Sequence, residues 1–322
     1  MSKKYLVTGG TGFLGRALVE RLVKDGHHVR VFDNDSRGSI NTLSRVSKEI
    51  EFVKGDIRDP EQTEKACRGI DSICHLAFIN GTEYFYQKPE LVLEVGVKGM
   101  VNILDGAIKN NVKDFMVMSS SEVYQTPPHV PTDESAPLSV PDPLNPRYSY
   151  GGGKIISELM AINYGRKYFD RTVIVRPHNA YGPQMGYEHV IPQFCMRMGE
   201  LTLSKKHNYE FPIQGTGQET RSFVYIDDFT DGVMVALNRG ENLGIYHNGT
   251  MDERTIADLA HEVAKNFGVK IELKTGALTQ GSTSRRCPDI GKLKKLGYSP
   301  RISFEEGVRR TVEWYKNNPK KV

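Results

Sequence analysis

Tryptophan, cysteine, long apolar runs and net charge are all scarce in this chain. Tryptophan occurs once, at Trp314. The four cysteines, Cys67, Cys74, Cys195 and Cys287, have no C-x-x-C spacing. That excludes the usual zinc and dithiol patterns and predicts free thiols in a reducing compartment. No apolar stretch approaches the roughly 20 residues that a membrane helix needs. Lys and Arg number 43 against 39 Asp and Glu, a formal charge of +4 over 322 residues. The basic pairs Lys3-Lys4, Lys205-Lys206 and Lys320-Lys321 stand far apart, so neither nucleic acid nor a membrane surface is expected as a partner. His75, His178 and His189 lack metal-ligand spacing, and no metal site is expected. Lys3-Lys4 lead directly into an apolar run with no leader-like pattern, which predicts a cytoplasmic protein. There is no internal repeat and no low-complexity tract.

The glycines are placed to more purpose. Tyr5-Leu6-Val7-Thr8 is a short apolar run, and Gly9, Gly12 and Gly15 follow it. Phe13, Leu14, Ala17, Leu18, Leu22 and Val23 then recur at helical spacing. The pattern predicts strand, tight turn and helix. Glycines there permit the turn, let backbone amides approach a pyrophosphate and let the helix pack close. The helix N-terminus turns its unpaired N–H groups toward that anion.

A second strand, Val29 to Phe32, ends at Asp33. That is about twenty residues past the turn, where a dinucleotide fold sets an acid against the adenosine ribose. A carboxylate there repels a 2′-phosphate and favours NAD over NADP; Arg37 nearby is the residue that would receive such a phosphate. Glu51-Phe52-Val53 predicts a third strand, after which Asp56 is placed to meet the adenine amino group and Ile57 to pack on its ring. Ser72 to Ala77 predicts a fourth, with the small Ala77 admitting the ribose.

A helix is expected from Pro89 to Asn110, then a fifth strand, Asp114 to Met118, running into Ser119-Ser120-Ser121-Glu122. The proline-rich stretch 125–147 reads as a long functional loop. A helix from Tyr150 to about Tyr168 and a sixth strand, Thr172 to Arg176, follow. Beyond them the pattern predicts helices over Val190–Gly199, Asp252–Phe267 and Phe304–Asn317, a strand entering a helix at Arg221–Asp228, a strand at Gly244–His247 and a polar loop over 275–288. Alternating strands and helices call for an α/β fold with a doubly wound parallel sheet. Ligands bind outside the carboxyl ends of such strands, which is where the serine run falls.

Tyr150 and Lys154 are one helical turn apart and share a face. An ammonium beside a phenol favours the phenolate, as does the charge of NAD+. Tyr150 can then take a proton from a substrate hydroxyl while hydride leaves the same carbon, with Ser120 holding the oxygen.

With these residues in place the chain resembles the extended short-chain dehydrogenase/reductases, the nucleotide-sugar epimerases and dehydratases. The resemblance spans nearly the whole chain. It rests on the glycine turn, Gly55-Asp56, His75-Leu76-Ala77, the serine run before Val123-Tyr124, and Tyr150-x-x-x-Lys154. It continues through Arg176-Pro177-His178-Asn179-Ala180-Tyr181-Gly182-Pro183, Arg221 to Asp228 and Arg285-Arg286. It implies a Rossmann domain (1–178 plus about 219–249), a smaller C-terminal α/β substrate domain (about 179–218 plus 250–322), tightly bound NAD+ and a homodimer through paired helices.

By the same resemblance Tyr150 is the base, Lys154 its partner and Ser120 the hydroxyl ligand, with Ser121 and Glu122 beside them. The cofactor would be met by Gly9, Gly12, Phe13, Leu14 and Gly15, by Asp33, Asn34, Arg37, Asp56 and Ile57, and by Leu76, Ala77, Phe78, Pro177 and Asn179, along with Tyr150 and Lys154. A nucleoside-diphosphate sugar would be held by Asn179, Arg221 and either Arg285 or Arg286, with His189, Val190 and Gln214 nearby and the base near Phe211 to Gln214. The shared first step is oxidation at sugar C4, after which Glu122 can remove a proton from C5. A UDP-glucuronate decarboxylase is the nearest rival, although no carboxylate-binding arginine is evident in the sequence. A net NAD(P)-dependent keto-sugar reductase is disfavoured by Asp33, and a non-enzymatic dinucleotide sensor by the retention of both Tyr150 and Lys154.

Two features depart from the family pattern. Gly96 stands where many relatives carry Asn, and Gly151-Gly152-Gly153 separate Tyr150 from Lys154. Either could widen the substrate pocket, and the triple glycine could equally be a turn held by packing.

Overall fold

Apolar runs bounded by polar ends become the strands of one sheet. The computed structural model describes residues 2–203, 208–277 and 283–319, so Lys205-Lys206, Lys320-Lys321 and part of the 275–288 loop lie outside the described residues. The strands are β1 (Lys4–Thr8), β2 (His28–Asp33), β3 (Ile50–Lys54), β4 (Ser72–His75), β5 (Asp114–Met118), β6 (Arg171–Pro177) and β7 (Gly244–Asn248). They pair in the order β7-β6-β5-β4-β1-β2-β3, every pair parallel.

Alternation along each strand sends side chains to two different cores. In β1, Tyr5 and Val7 join Leu18, Leu22 and Val233 on one face. Leu6 joins Ile73, Ile103, Leu104 and Phe115 on the other. Helices Phe13–Lys24 and Ile226–Arg239 cover the first face; Pro60–Ala66, Gly99–Lys109 and Tyr148–Tyr168 cover the second. Strand order reverses between β1 and β4, and that switch point opens a crevice at the carboxyl edge.

The remaining elements build a smaller layer over this edge. Helices Val190–Thr202, Ile256–Phe267 and Phe304–Asn317 pack on one another. Strands Asn208–Pro212 and Lys270–Lys274 pair in parallel beside them. A three-stranded sheet joins Thr220–Ser222 to Glu253–Thr255 on one side and Arg285–Arg286 on the other. The helix expected from Asp252 therefore starts later, at Ile256, because Glu253–Thr255 is taken by the antiparallel pairing. Thr255 closes its N-terminus with a reciprocal capping box to Asp258.

The expected Pro89–Asn110 helix is interrupted by a π turn at Glu94–Lys98. The helix bearing Tyr150 runs from Tyr148 to Tyr168. None of the described helices is long and apolar enough to cross a membrane.

Candidate active site

The glycine turn is built to leave room. Gly9 has φ +70°, and a Cβ there would lie 2.8 Å from the Ala77 backbone. A Cβ on Gly15 would sit 2.1 Å from the Gly9 carbonyl oxygen. Neither position has room for a side chain, so the turn stays bare and the start of helix Phe13–Lys24 packs close against it, an arrangement that suits a pyrophosphate resting on backbone amides. Phe13, Leu14, Asn34, Leu76, Ala77 and Pro177 line the same cleft, which encloses about 1060 Å³. These residues fit a dinucleotide.

Asp33 ends β2 at the cleft, its carboxylate accepting the Thr11 and Asp35 amides at 3.0 and 2.9 Å. Asp56 is turned away from the lining. Arg58 grips its carboxylate at 2.7 Å, with Asn34 at 3.3 Å, and Ile57 faces the cleft in its place. Arg37 does not point toward the ribose end of β2. It donates to the Asn80 carbonyl, lies 4.8 Å over the Tyr84 ring and approaches Glu188 at 3.5 Å, so it spans the cleft mouth. His75 serves the fold: its Nδ1 shares a hydrogen with Thr8 Oγ1 at 2.8 Å, and burial, then the Lys154 charge, push it down to about 3.

Strand β5 delivers Ser119-Ser120-Ser121 to the crevice. Ser120 Oγ accepts the Glu122 amide at 3.1 Å and is close enough to the Tyr150 phenol to lower its pKa. Lys154 is buried and donates to the Met118 carbonyl at 2.6 Å, its Nζ lying 5.8 Å from the Tyr150 ring centroid. Burial pushes the Tyr150 phenol up, opposed by the Ser120 hydroxyl. Burial pushes the Lys154 ammonium down to about 7, opposed by Glu158. Both groups therefore resist charge until an oppositely charged neighbour or a proton acceptor assists them.

Glu122 stands at the same edge. Arg286 Nη1 donates to its Oε1 at 2.5 Å and Arg147 Nη2 lies 3.9 Å from Oε2. Burial pushes this carboxyl up, but the Arg286 charge and hydrogen bond, then Arg147 and Arg221, outweigh it and hold it below the usual carboxylate range. Arg221 lies outside the cleft lining and donates to the Thr220 and Thr283 carbonyls at 2.7 and 2.8 Å. Burial, reinforced by Arg286, brings Arg221 down to about 10.

The two adjacent arginines part company because a strand points alternate side chains to opposite faces. Arg286 is 7% exposed and faces Glu122, whereas the Arg285 side chain is 53% exposed and grips Glu253 at 2.6 Å on the far face. Of the two, Arg286 lines the cleft and Arg285 does not. Arg286→Ala is expected to weaken nucleotide-sugar binding about 10- to 100-fold, the worth of a charge-assisted hydrogen bond. Arg285→Ala should stay within about twofold, and calorimetric titration with a nucleoside diphosphate checks both.

His189 and Val190 line the cleft where helix Val190–Thr202 begins. Asn179, at φ +44°, lines it too and donates to the Ser222 carbonyl at 3.2 Å. Gln214 and Phe211 lie outside the lining. Phe211 is fully buried between Phe194 and Arg197, whose guanidinium is 4.1 Å from its ring, so it serves the core and cannot stack on a base.

Gly151 is explained by the turn beside it. A Cβ there would meet Gln125 Nε2 at 2.4 Å and the Glu122 carbonyl oxygen at 2.8 Å, so the bare backbone lets the Glu122 turn seat against the Tyr150 helix.

Sequence reasoning missed three groups. Arg147, at the start of the Tyr150 helix, lines the cleft, and its buried Nε has no partner among the described residues. Phe85 stacks on Tyr150 at 5.0 Å. Glu158 and Arg176, both 2% exposed, form a two-pronged pair at 2.8 and 2.5 Å behind Lys154, and Ser119 donates to the same carboxylate. Glu158 was findable: it follows Lys154 by one helical turn, a second charge on a buried face.

Comparison with known proteins settles the lineage. Residues 5–249 match the NAD dependent epimerase/dehydratase family. The chain belongs to this family. It is an enzyme family, and it is NAD-dependent. Over 319 residues the chain is 31% identical to a putative UDP-glucose 4-epimerase of Methanocaldococcus jannaschii, covering 97% of this chain and 98% of that protein. It is also 30% identical over 329 residues to a trifunctional UDP-glucose 4,6-dehydratase/UDP-4-keto-6-deoxy-D-glucose 3,5-epimerase/UDP-4-keto-L-rhamnose-reductase of Arabidopsis thaliana, covering 98% of this chain. The chain spans about half of that larger protein, 48%. Among solved structures, a double mutant of dTDP-glucose 4,6-dehydratase from Streptomyces venezuelae, with NAD bound, superposes with a TM-score of 0.86 at 30% identity, covering 98% of this chain and 97% of the other.

Proposed function

We propose that this enzyme is a nucleotide-sugar epimerase or 4,6-dehydratase that works through transient oxidation at sugar C4. The observation that carries the reading is the lining of a single cleft by Ser120, Tyr150, Lys154 and an ionised Glu122. Bound NAD+ supplies the hydride acceptor, and regenerating it within each cycle requires no exchange. The diversion of Arg37 to Asn80 and Glu188 supports NAD+ over a 2′-phosphorylated cofactor.

The residues then divide the work. Ser120 holds the C4 hydroxyl, and Tyr150 takes its proton as the C–H bond gives up hydride. Lys154 steadies the phenolate. The resulting ketone acidifies C5, and for dehydration or C5 epimerisation Glu122 removes that proton; simple C4 epimerisation needs no such base. Arg286, from the smaller unit of about 179–218 and 250–322, holds the diphosphate, and Arg221, from the larger unit, adds its charge. Two copies would meet through helices Pro89–Lys109 and Tyr148–Tyr168, whose outer faces expose Leu93, Val101, Ile156 and Leu159.

A second reading, a decarboxylase of a nucleotide-linked hexuronic acid, is favoured by Arg147. It stands beside Glu122 and supplies the carboxylate partner that the sequence did not reveal.

Purified enzyme incubated in D2O with UDP-, dTDP-, GDP- and CDP-sugars tests both readings. A 4,6-dehydratase or C5 epimerase puts deuterium at C5, and Glu122→Gln should remove it while the reduced-nicotinamide absorbance still rises; a 4-epimerase inverts C4 with no deuterium at C5. Loss of carbon dioxide would promote the decarboxylase. Turnover only with added NAD(P)H would overturn the internal redox cycle.

A further inference from the structure

The space left by Gly96 and Gly153 is filled by one ring. A Cβ on Gly96 would lie 2.2 Å from Phe78 Cζ and 2.5 Å from its Cε2. A Cβ on Gly153 would lie 3.0 Å from the same Cζ. Gly96 is in the π turn at Glu94–Lys98, and Gly153 is in the first turns of the Tyr150 helix. Two helices have each given up a side chain at the point where they meet Phe78. Extra helical turns of the π kind recur at functional sites, and glycine within a helix costs about 1 kcal/mol against alanine. The seat is therefore kept against local propensity, and it does not widen the substrate pocket.

The seated ring touches both members of the catalytic pair. Its face lies 4.0 Å from Lys154 Nζ and its edge meets the Tyr150 ring at 5.2 Å and 84°. Phe85 also stacks on Tyr150, at 5.0 Å and 19°. An aromatic face attracts an ammonium most strongly when water is excluded, and here Lys154 is buried.

We infer that Phe78, locked in the Gly96–Gly153 seat, is a positioning residue that holds the Lys154 ammonium in line with Tyr150 and so favours the phenolate. The inference rests on the reading of Tyr150 as base and Lys154 as its partner. Leucine at this position would keep the apolar cover and lose the π face. Alanine at position 96 would push the ring out of its seat. Leucine has no atom at the Cζ position, so the two changes together should do no more than the first alone.

NAD+-loaded protein tests this without a known substrate. The tyrosinate absorbance is titrated with pH, and the titration of the Tyr150→Phe protein is subtracted to isolate Tyr150. Phe78→Leu is expected to move that ionisation upward by about half a unit to one unit. Gly96→Ala should do the same, and Phe78→Leu/Gly96→Ala should match Phe78→Leu. Thermal melts of the same proteins report folding separately. A wild-type difference titration without a Tyr150 step at or below the ordinary phenol range would sink the base assignment itself. A clear wild-type step that neither Phe78→Leu nor Gly96→Ala moves, whatever their melts do, would overturn the role of Phe78 alone. Independent, additive shifts in the double variant would overturn the seat.

Discussion

Tyr150→Phe is expected to lower turnover by about 10²- to 10⁴-fold, the usual worth of a positioned general base, while NAD stays bound. The substitution removes one oxygen and keeps the ring against Phe78 and Phe85. Packing is therefore preserved, and the loss reports proton transfer. Burial pushes the phenol up, so the hydroxyl is a poor base without help. Lys154 helps only while protonated, and burial pushes its ammonium down to about 7. Turnover should accordingly fall on the acid side as Tyr150 holds its proton and on the alkaline side as Lys154 loses its own. Steady-state rates across pH, with NAD content measured on the same protein, check the expectation. A variant that keeps most of its activity would remove Tyr150 from the mechanism.

Glu158→Gln is expected to destabilise the fold by about 3–5 kcal/mol, the cost of leaving one charge of a buried pair uncompensated. Arg176 is 2% exposed and cannot shed its charge, and Glu158 is its carboxylate partner. The guanidinium also donates to Tyr124 Oη and, at 3.1 Å, to the Glu134 carbonyl. Tyr124 Oη lies 2.6 Å from His247 Nε2, so the segment that follows β5 is tied to strands β6 and β7 behind the active site. Ser119, next to Ser120, hangs from the same carboxylate. Replacing both partners with apolar residues, as in Glu158→Met/Arg176→Met, should recover much of the stability, because no buried charge is left unpaired. Denaturant unfolding of both proteins measures this, and a loss below about 1 kcal/mol for Glu158→Gln would mean the pair is not carrying the strand ends.

Much of the frame was readable from local chemistry. Gly9, Gly12 and Gly15 sit between a strand period and a helix period, and only a tight βα turn satisfies both. The strands were legible because an apolar run buried on both faces is the mark of a parallel sheet. The spacing of Tyr150 and Lys154 by itself puts them on one helix face. Boundaries failed where pairing over long range intervened, as at Glu253–Thr255, which joins Ser222 from far along the chain.

Within the site, sequence determined which chemical groups are present, and only the fold decided which way each one faces. Arg285 and Arg286 are indistinguishable as letters; pairing with Thr220–Ser222 turns one to Glu253 and the other to Glu122. Arg37 could serve a phosphate until Asn80 and Glu188, from distant segments, claim it. Gly96 and Gly153 read as missing side chains in the sequence, and in the fold the Phe78 ring occupies the space of both. Periodicity and turn chemistry act over a few residues, so the sequence carries them openly. The direction of a side chain at a cleft is set by neighbours brought in by packing, and those neighbours are known only when the chain is folded.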